Sequence, residues 1–129
     1  MGLASDAREV GALMIDKIAA MQADVCHRFG VDPVPLEPSA KVGVSQSVRD
    51  GSTPLNGLRH SPSADTSGWF LWAGGEISES PDFFVPLHSE HLAEWRPELL
   101  PYLALPPGYR FLIAPDYEDV WFDASLLSP

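Results

Sequence analysis

One short segment, Gly68–Ala73, constrains the fold of this chain more than any other. Its central residues, Trp69 to Trp72, are all large and apolar. Side chains of a strand point alternately to opposite faces, so an unbroken apolar run of this length is typical of a strand covered on both sides. Gly74-Gly75 then ends the run. The segment therefore predicts a central strand in a sheet that carries packed material on both faces.

A long amphipathic helix is predicted ahead of the sheet, from Asp6 to about Phe29. Asp6 and Glu9 can form a capping box at its start, and Gly30 is a natural stop signal. Apolar residues recur at spacings of three and four, the helical period. They are Val10, Met14, Ile18, Met21, Val25 and Phe29. We expect this stripe to pack on the sheet.

The rest of the chain alternates short elements with turns. Proline-rich Val31–Ala40 predicts an extended connection. The expected strands, beside the central one, are Lys41–Val48 and Leu55–His60, paired as a hairpin, then Tyr109–Ala114 and Val120–Asp123. Between them the pattern predicts a loop at Ser78–Phe84, a short helix at Leu87–Trp95 and an acidic turn at Pro115–Asp119.

Short connections favour antiparallel pairing over βαβ crossovers. The predicted fold class is therefore α+β, with an N-terminal amphipathic helix packed on a mainly antiparallel sheet and a short helix before the last hairpin. Residues 1–40 would supply the helix and the proline-rich connection, and residues 41–129 the α+β domain. At 129 residues the chain fits one compact domain overall.

The charge of the chain excludes some partners. Eighteen acidic and eight basic residues give a net charge of -10. Residues 61–129 hold eleven of the acids and two of the bases, a net of -9. Neutralising phosphate groups needs clustered Lys and Arg, so neither nucleic acid nor an anionic membrane surface is expected as a partner. Two interpretations stay open: a solvated acidic surface, or a face that meets a basic partner.

Compartment and redox state follow from a few residues. Cys26 is the only cysteine, which excludes an intramolecular disulfide and a zinc site built on cysteines. The start of the chain has no cationic region followed by an apolar run, so we expect no signal peptide. We expect a cytoplasmic protein.

Motifs for catalysis are weak. His88-Ser89-Glu90-His91, followed by Glu94, is the most metal-like cluster, with two histidines three residues apart, but the spacing makes no third ligand evident and lacks the zincin pattern. No serine lies in a nucleophile elbow. Cys26 on the apolar side of a helix is typical of a buried residue. We predict no catalytic residue, no metal ligand and no cofactor. We also expect Arg59 and Arg110 to pair with Glu76, Asp82 or Glu118.

Four segments in this order resemble a family of bacterial immunity proteins, family thirty-three of the polymorphic-toxin systems. They are Lys41–Ser45, Asn56–His60, Thr66–Trp69 and Trp72–Glu76. Ser80-Pro81-Asp82, Pro101-Tyr102-Leu103 and Pro107-Gly108 also fit, and the resemblance covers about residues 41–123. It implies an α+β protein that is not an enzyme and that neutralises a cognate toxin by direct contact, as a monomer or a dimer. The alternative is a small metal- or ligand-binding domain or enzyme that uses His88 and His91 with nearby carboxylates.

A partner-binding surface can be placed on this basis. Aromatic side chains dominate the energetics of interfaces, while charges at the rim steer association. The expected acidic rim is Glu76, Glu79, Asp82, Asp116, Glu118 and Asp119, and the expected anchors are Phe83, Phe84 and Tyr117 in loops. The same aromatic residues would fit a core equally well. The expected partner is a toxin with a basic surface.

Overall fold

The computed structural model describes residues 3–64, 66–75 and 77–127, with side chains described from residue 16 onward. Helix α1 spans Leu3–Arg28. The remaining helices and strands are β1 Lys41–Val44, α2 Gln46–Arg49, β2 Leu55–Arg59, β3 Thr66–Ala73, β4 Val85–His88, α3 Leu92–Trp95, β5 Tyr109–Ala114 and β6 Tyr117–Phe122. Short 3₁₀ segments occupy Ser89–His91, Pro97–Tyr102 and Ala124–Leu127. The predicted α+β class is confirmed.

Within the described residues the strands form one sheet in the order β4-β1-β3-β2-β5-β6. All neighbours are antiparallel except β1 and β3, which run parallel. The predicted hairpin between Lys41–Val48 and Leu55–His60 is wrong, because β3 lies between these strands. The segment from 45 to 54 thus crosses to the far side of β3 and does not turn back on β1. The predicted strand Gly68–Ala73 is confirmed as an interior strand and begins slightly earlier, at Thr66.

The predicted strand at Lys41–Val48 is also too long. It ends at Val44, and Ser45 then caps α2 by accepting a hydrogen bond from the backbone N–H of Ser47 at 3.2 Å. Val44 and Val48 are four residues apart, a spacing that fits a helical turn as well as an alternating strand. Val48 is fully buried from that turn.

Two further boundaries differ from prediction. The helix expected over Leu87–Trp95 starts late, because Val85–His88 pairs with β1 as an edge strand and only the residues after it turn helical. The strand expected at Val120–Asp123 is in fact Tyr117–Phe122. A two-residue connection, Pro115-Asp116, closes this hairpin, so most of the predicted acidic turn is strand. Exposure explains the difference, since an edge strand need not show the apolar alternation of a half-buried one.

The main core lies between one face of the sheet and the segment from α3 to Leu105. Trp69, Leu71 and Phe111 from the sheet are at most 1% exposed, and Leu99 and Leu105 close over them. The indole N–H of Trp69 donates to the carbonyl of Leu103 at 3.0 Å, so this buried polar group is satisfied.

Helix α1 joins this core through its last two turns. Val25 and Cys26 are buried, and the Gln22 side-chain amide donates to the carbonyl of Leu100 at 2.9 Å. Met21 is 36% exposed, so its predicted place in the packed stripe is wrong. Ile18 and Phe29 are half-buried. The side chains of Val10 and Met14 lie outside the described residues.

The opposite face of the sheet carries a smaller cluster. Leu58 and Trp72 from the sheet pack with Leu126 of the C-terminal 3₁₀ segment, and Phe70, Phe83 and Phe84 border them. The prediction that β3 is covered on both sides is therefore confirmed. We call this side the open face, because none of the described helices packs on β5 or β6 there.

Candidate functional site

The β5–β6 hairpin combines exposed aromatic and charged side chains at one edge of the sheet. Tyr117 is 57% exposed, Trp121 36% and Phe122 51%. Six consecutive residue pairs join the two strands, from Ala114 with Tyr117 to Tyr109 with Phe122, without a bulge. Large aromatic residues are uncommon on a solvated surface that serves only solubility, and they are enriched at protein interfaces.

The register decides which side each residue of β6 faces. Directly paired residues share a face, so Trp121 lies beside Arg110 and Asp119 beside Leu112. The row from β3 to β6 on the open face reads Phe70, Leu58, Arg110, Trp121. Tyr117, Asp119 and Trp121 therefore point to the open face, whereas Glu118, Val120 and Phe122 point to the side of α1. Strand β6 thus places Glu118 and Asp119, both predicted for one acidic rim, on opposite faces of the sheet.

Glu118 is engaged inside the molecule. Its carboxylate accepts two hydrogen bonds from the guanidinium group of Arg28, at 2.7 and 3.1 Å, and a third from the hydroxyl of Tyr102. The Arg28 hydrogen bonds, partly opposed by burial, hold the pKa of Glu118 below its ordinary value. Burial first, and then the hydrogen bond to Glu118, raise the pKa of Tyr102 to about 12. Glu118 thus ties β6 to α1 and to the Pro97–Tyr102 segment.

Arg110 forms the charged part of the open-face surface. Its Nη1 lies 3.3 Å from an Asp123 carboxylate oxygen, and its guanidinium carbon lies 5.4 Å from the centre of the Trp121 ring. Its Nε is buried without a hydrogen-bond partner among the described residues. The expected pairing of Arg110 with Asp82 or Glu118 is wrong, because Asp123 takes that place among the described residues, and Glu76 lies outside them. Arg, Trp and Tyr are the residues most enriched in binding hot spots, and here Arg110, Trp121 and Tyr117 share one face.

The loop that leads to β4 supplies the other predicted residues. Glu79 and Asp82 are exposed, and Glu76 lies outside the described residues. Phe83 and Phe84 are half-buried, with ring centres 4.8 Å apart, and Phe84 meets Phe70 at 5.1 Å. These two rings cover β3, so they serve the packing of the open face.

The order of the strands gives the distance between the loop before β4 and strand β6. The loop lies over β3, and β2 and β5 separate β3 from β6. Three strand spacings correspond to about 14 Å. Glu79 and Asp82 thus belong to the loop whose Phe83 and Phe84 pack on the open face, whereas Asp119 and Tyr117 lie on that face of β6 and Glu118 faces away from it.

Arg59 is a structural residue. It is 2% exposed, and its guanidinium group donates to the carbonyls of Ser67, Leu105 and Val34 at 3.0, 2.8 and 2.8 Å. Burial lowers the pKa of Arg59 to about 10. Its Nε and Nη1 donate to these backbone carbonyls, so the expected pairing with Asp82 or Glu118 is wrong for this residue, and Glu76 lies outside the described residues. The group holds the proline-rich connection and the turn before β5 against the sheet.

One group of side chains could hold a metal ion. Ligand atoms of His88, Glu90 and His91 all lie within 4.8 Å of one another, and all three residues are exposed. The two imidazole rings stack with centres 6.2 Å apart. A 3₁₀ turn brings Glu90 beside both histidines, so it is the third candidate ligand that spacing alone did not make evident.

The surroundings of Cys26 do not favour nucleophilic catalysis. Cys26 is fully buried, and burial raises the pKa of its thiol. A thiol in such surroundings is inert. Two hollows, of about 220 and 570 Å³, flank β1 and α1, and neither is lined by a Cys, His or Asp of the described residues.

Within the part of the chain that the structure describes, no helix has the length and apolar character needed to cross a bilayer.

Comparison with known proteins identifies one family. The model of the Imm33-like domain matches residues 21–123, which adds the last two turns of α1 to the segment of the resemblance. No curated protein and no solved structure matches the chain. Since the family model covers most of the chain, the residues that form the sheet, the Arg59 junction and the β5–β6 hairpin all lie inside it. The chain belongs to the Imm33-like domain family, a family of immunity proteins.

Proposed function

We propose that this protein is a non-catalytic immunity protein that neutralises a cognate bacterial toxin by direct contact through the open face of the β5–β6 hairpin. One observation carries the proposal: Tyr117 and Trp121 are exposed beside Arg110 on an edge strand. A hot spot needs aromatic anchors that a partner can desolvate, with polar groups around them. The open face provides this arrangement in this chain, which belongs to a family of immunity proteins.

The charge distribution supports a basic partner surface. Asp116 and Asp119 lie beside the aromatic residues along β6, and Glu79 and Asp82 are exposed in the loop that packs Phe83 and Phe84 on the open face. Complementary charge raises association rates and selects partners more than it adds affinity. The acidic groups are therefore assigned to steering, and Tyr117, Trp121 and Arg110 to affinity. In this proposal Phe83 and Phe84 support the loop, and Glu118 positions the strand.

The experiment begins with the product of the gene beside that of this chain. We expect this product to arrest bacterial growth when expressed alone and to be neutralised by co-expression of this protein. Purified Trp121→Ala and Tyr117→Ala should each bind the toxin at least about tenfold more weakly, as hot-spot truncations do. Met21→Ala is the matched control, because Met21 is also 36% exposed and lies on α1. Equal toxin binding by all three variants would contradict the proposed surface, and toxicity that this protein leaves unchanged would contradict the proposed function.

The alternative, a metal-binding domain, is favoured by the approach of Glu90 to His88 and His91. Zn²⁺ accepts imidazole and carboxylate ligands and leaves a fourth position for water in catalytic sites. Metal analysis of the natively purified protein distinguishes the two functions. Zinc at one equivalent, lost in His91→Ala, would favour the alternative, whereas toxin binding that is equal in His91→Ala and the wild type would favour the immunity function.

A further inference from the structure

We propose that the toxin binds by adding an extended basic segment as a seventh strand along the free edge of β6. This inference rests on the proposed function and specifies how the partner engages the hairpin.

Backbone groups along β6 are available for such pairing. The two-residue turn makes Ala114 and Tyr117 a hydrogen-bonded pair, and hydrogen-bonded and non-hydrogen-bonded pairs then alternate. The bond from the Asp123 N–H to the carbonyl of Gly108, at 2.7 Å, continues this alternation. The N–H and C=O groups of Glu118, Val120 and Phe122 consequently point away from β5. Among the described residues, no strand pairs with that side of β6.

The two edges of the sheet differ in protection. At the other edge, β4 has four residues, includes Pro86, and runs directly into a 3₁₀ turn. Short length and proline are the usual means by which proteins prevent an edge strand from pairing. Strand β6 has six residues, no proline and no bulge, and it exposes aromatic side chains on both faces. Strand β6 therefore lacks the two devices that protect β4, and its acidic side chains oppose pairing with an acidic strand while leaving it competent to pair with a basic one.

The charges along β6 indicate which kind of strand can pair with its free edge. Glu118 and Asp123 are paired with Arg28 and Arg110, but Asp116 and Asp119 follow this edge with no basic partner among the described residues, so a second copy of the chain would bring further acidic groups against them. A chain with a net charge of -10 also repels itself at long range. A segment that contains both Lys or Arg and apolar residues, with apolar residues on each of its faces, reverses that repulsion. Its apolar residues would meet Phe122 on one side and Trp121 or Tyr117 on the other, because successive side chains of an added strand alternate.

Amide hydrogen exchange of the ¹⁵N-labelled protein, free and bound to the toxin encoded by the neighbouring gene, tests the inference. In the free protein the amides of Tyr117, Asp119 and Trp121 should exchange slowly, because β5 accepts them. Toxin binding should slow the amides of Glu118, Val120 and Phe122 by at least about tenfold. Uniform protection along β6, or no change at these three amides, would overturn strand addition even if Trp121→Ala weakens binding.

A proline variant provides the second readout. Val120→Pro removes an N–H that points outward, so it spares the β5–β6 hydrogen bonds, and edge strands accept proline there. Val120→Thr, of similar size and with the N–H retained, is the control. We expect Val120→Pro to weaken toxin binding at least about tenfold relative to Val120→Thr, at equal thermal stability. Equal binding by the two folded variants would overturn the inference, and if Val120→Pro does not fold, the exchange pattern decides.

Two outcomes separate this inference from the function on which it rests. Toxin binding that depends on Trp121 but leaves the three outward amides unprotected rejects strand addition and keeps the immunity function. A toxin that the wild-type protein neither binds nor neutralises rejects both. Concentration-dependent protection of the same amides in the free protein would show that a second copy occupies the edge, and it would overturn the basic segment as the occupant.

Discussion

Gly68 offers the sharpest test of the packing, because two separate effects meet at one residue. Its φ is +91°, in the region that L-residues with a side chain rarely adopt. A Cβ added there would lie 2.0 Å from the carbonyl oxygen of His60. That oxygen belongs to backbone and cannot rotate away as a side chain would. Gly68→Ala must therefore strain one dihedral angle and also push β2 and β3 apart.

The magnitude follows from the two effects. The left-handed conformation costs a residue with a Cβ about 1–2 kcal/mol. Separating the strands breaks the hydrogen bond from the His60 N–H to the Gly68 carbonyl, now 2.8 Å, and losing such a bond costs about 1–3 kcal/mol. We expect Gly68→Ala to reduce the free energy of unfolding by about 2–5 kcal/mol, a large part of the 5–15 kcal/mol typical of a domain.

A matched variant separates strain from collision. Gly51 has a φ of +83°, but a Cβ there would meet nothing within 4 Å. Gly51→Ala should therefore cost only the dihedral strain, about 1–2 kcal/mol. Urea unfolding followed by tryptophan fluorescence measures both variants, since Trp69 and Trp72 are buried in the native state. If Gly68→Ala lies within about 1 kcal/mol of Gly51→Ala, the reasoning about the His60 contact is refuted.

Further predictions concern charged groups. Because Arg28 lowers the pKa of Glu118, the Glu118 carboxylate stabilises the fold above its ordinary value of 4.5, and this contribution is lost as the pH falls through the depressed value. Glu118→Gln should thus be less stable than wild type at pH 7, by about 1 kcal/mol or less, and the difference should shrink in acid denaturation curves. Arg59→Met should destabilise by about 1–3 kcal/mol for each buried carbonyl left unpaired, measured by urea unfolding. The association rate with the toxin should fall between about 20 and 300 mM salt in stopped-flow measurements, because the Debye length shortens several-fold; an unchanged rate would contradict charge steering.

The sequence predicts those parts of the fold in which local chemistry dominates. Trp69 to Trp72 can only be accommodated in a strand that is covered on both sides, and both indoles are buried as expected. Tyr109–Ala114 is confirmed at both ends, because prolines and glycine precede it and Pro115 follows.

The sequence does not predict in the same way which strands lie beside each other in the sheet. The pattern of Lys41–Val44 indicates a strand, but the period of two does not say which strand lies beside it. Here β1 pairs with β3 in parallel, and β2 reaches β3 from the other side. The choice depends on the total burial of the sheet, which no window of sequence contains.

The candidate site was predicted in part for a related reason. Tyr117, Asp119 and Trp121 follow the i, i+2, i+4 spacing of one strand face. Because the sequence predicts a turn at Pro115–Asp119, this spacing is not recognised as a strand signal. The partner of Glu118 has no local signal at all, since Arg28 is 90 residues away in sequence. The sequence predicts that Arg110 pairs with a carboxylate. Its position opposite Trp121 depends on the register of the β5–β6 hairpin, which the sequence pattern does not specify.

The contacts of Glu118 also bear on how the proposed binding edge works. Arg28, at the end of α1, and Tyr102, in the 3₁₀ segment, hold β6 from the side opposite the open face. The strand is thus fixed before a partner arrives, and a partner that binds a preorganised strand loses less conformational entropy on binding. The family match begins at residue 21, and from that point α1 supplies Gln22, Val25, Cys26 and Arg28 to the rest of the domain. In the proposed mode of binding, Arg28 at the end of the helix positions the edge from behind and takes no part in the contact, which the open face and the outward backbone groups of β6 would make.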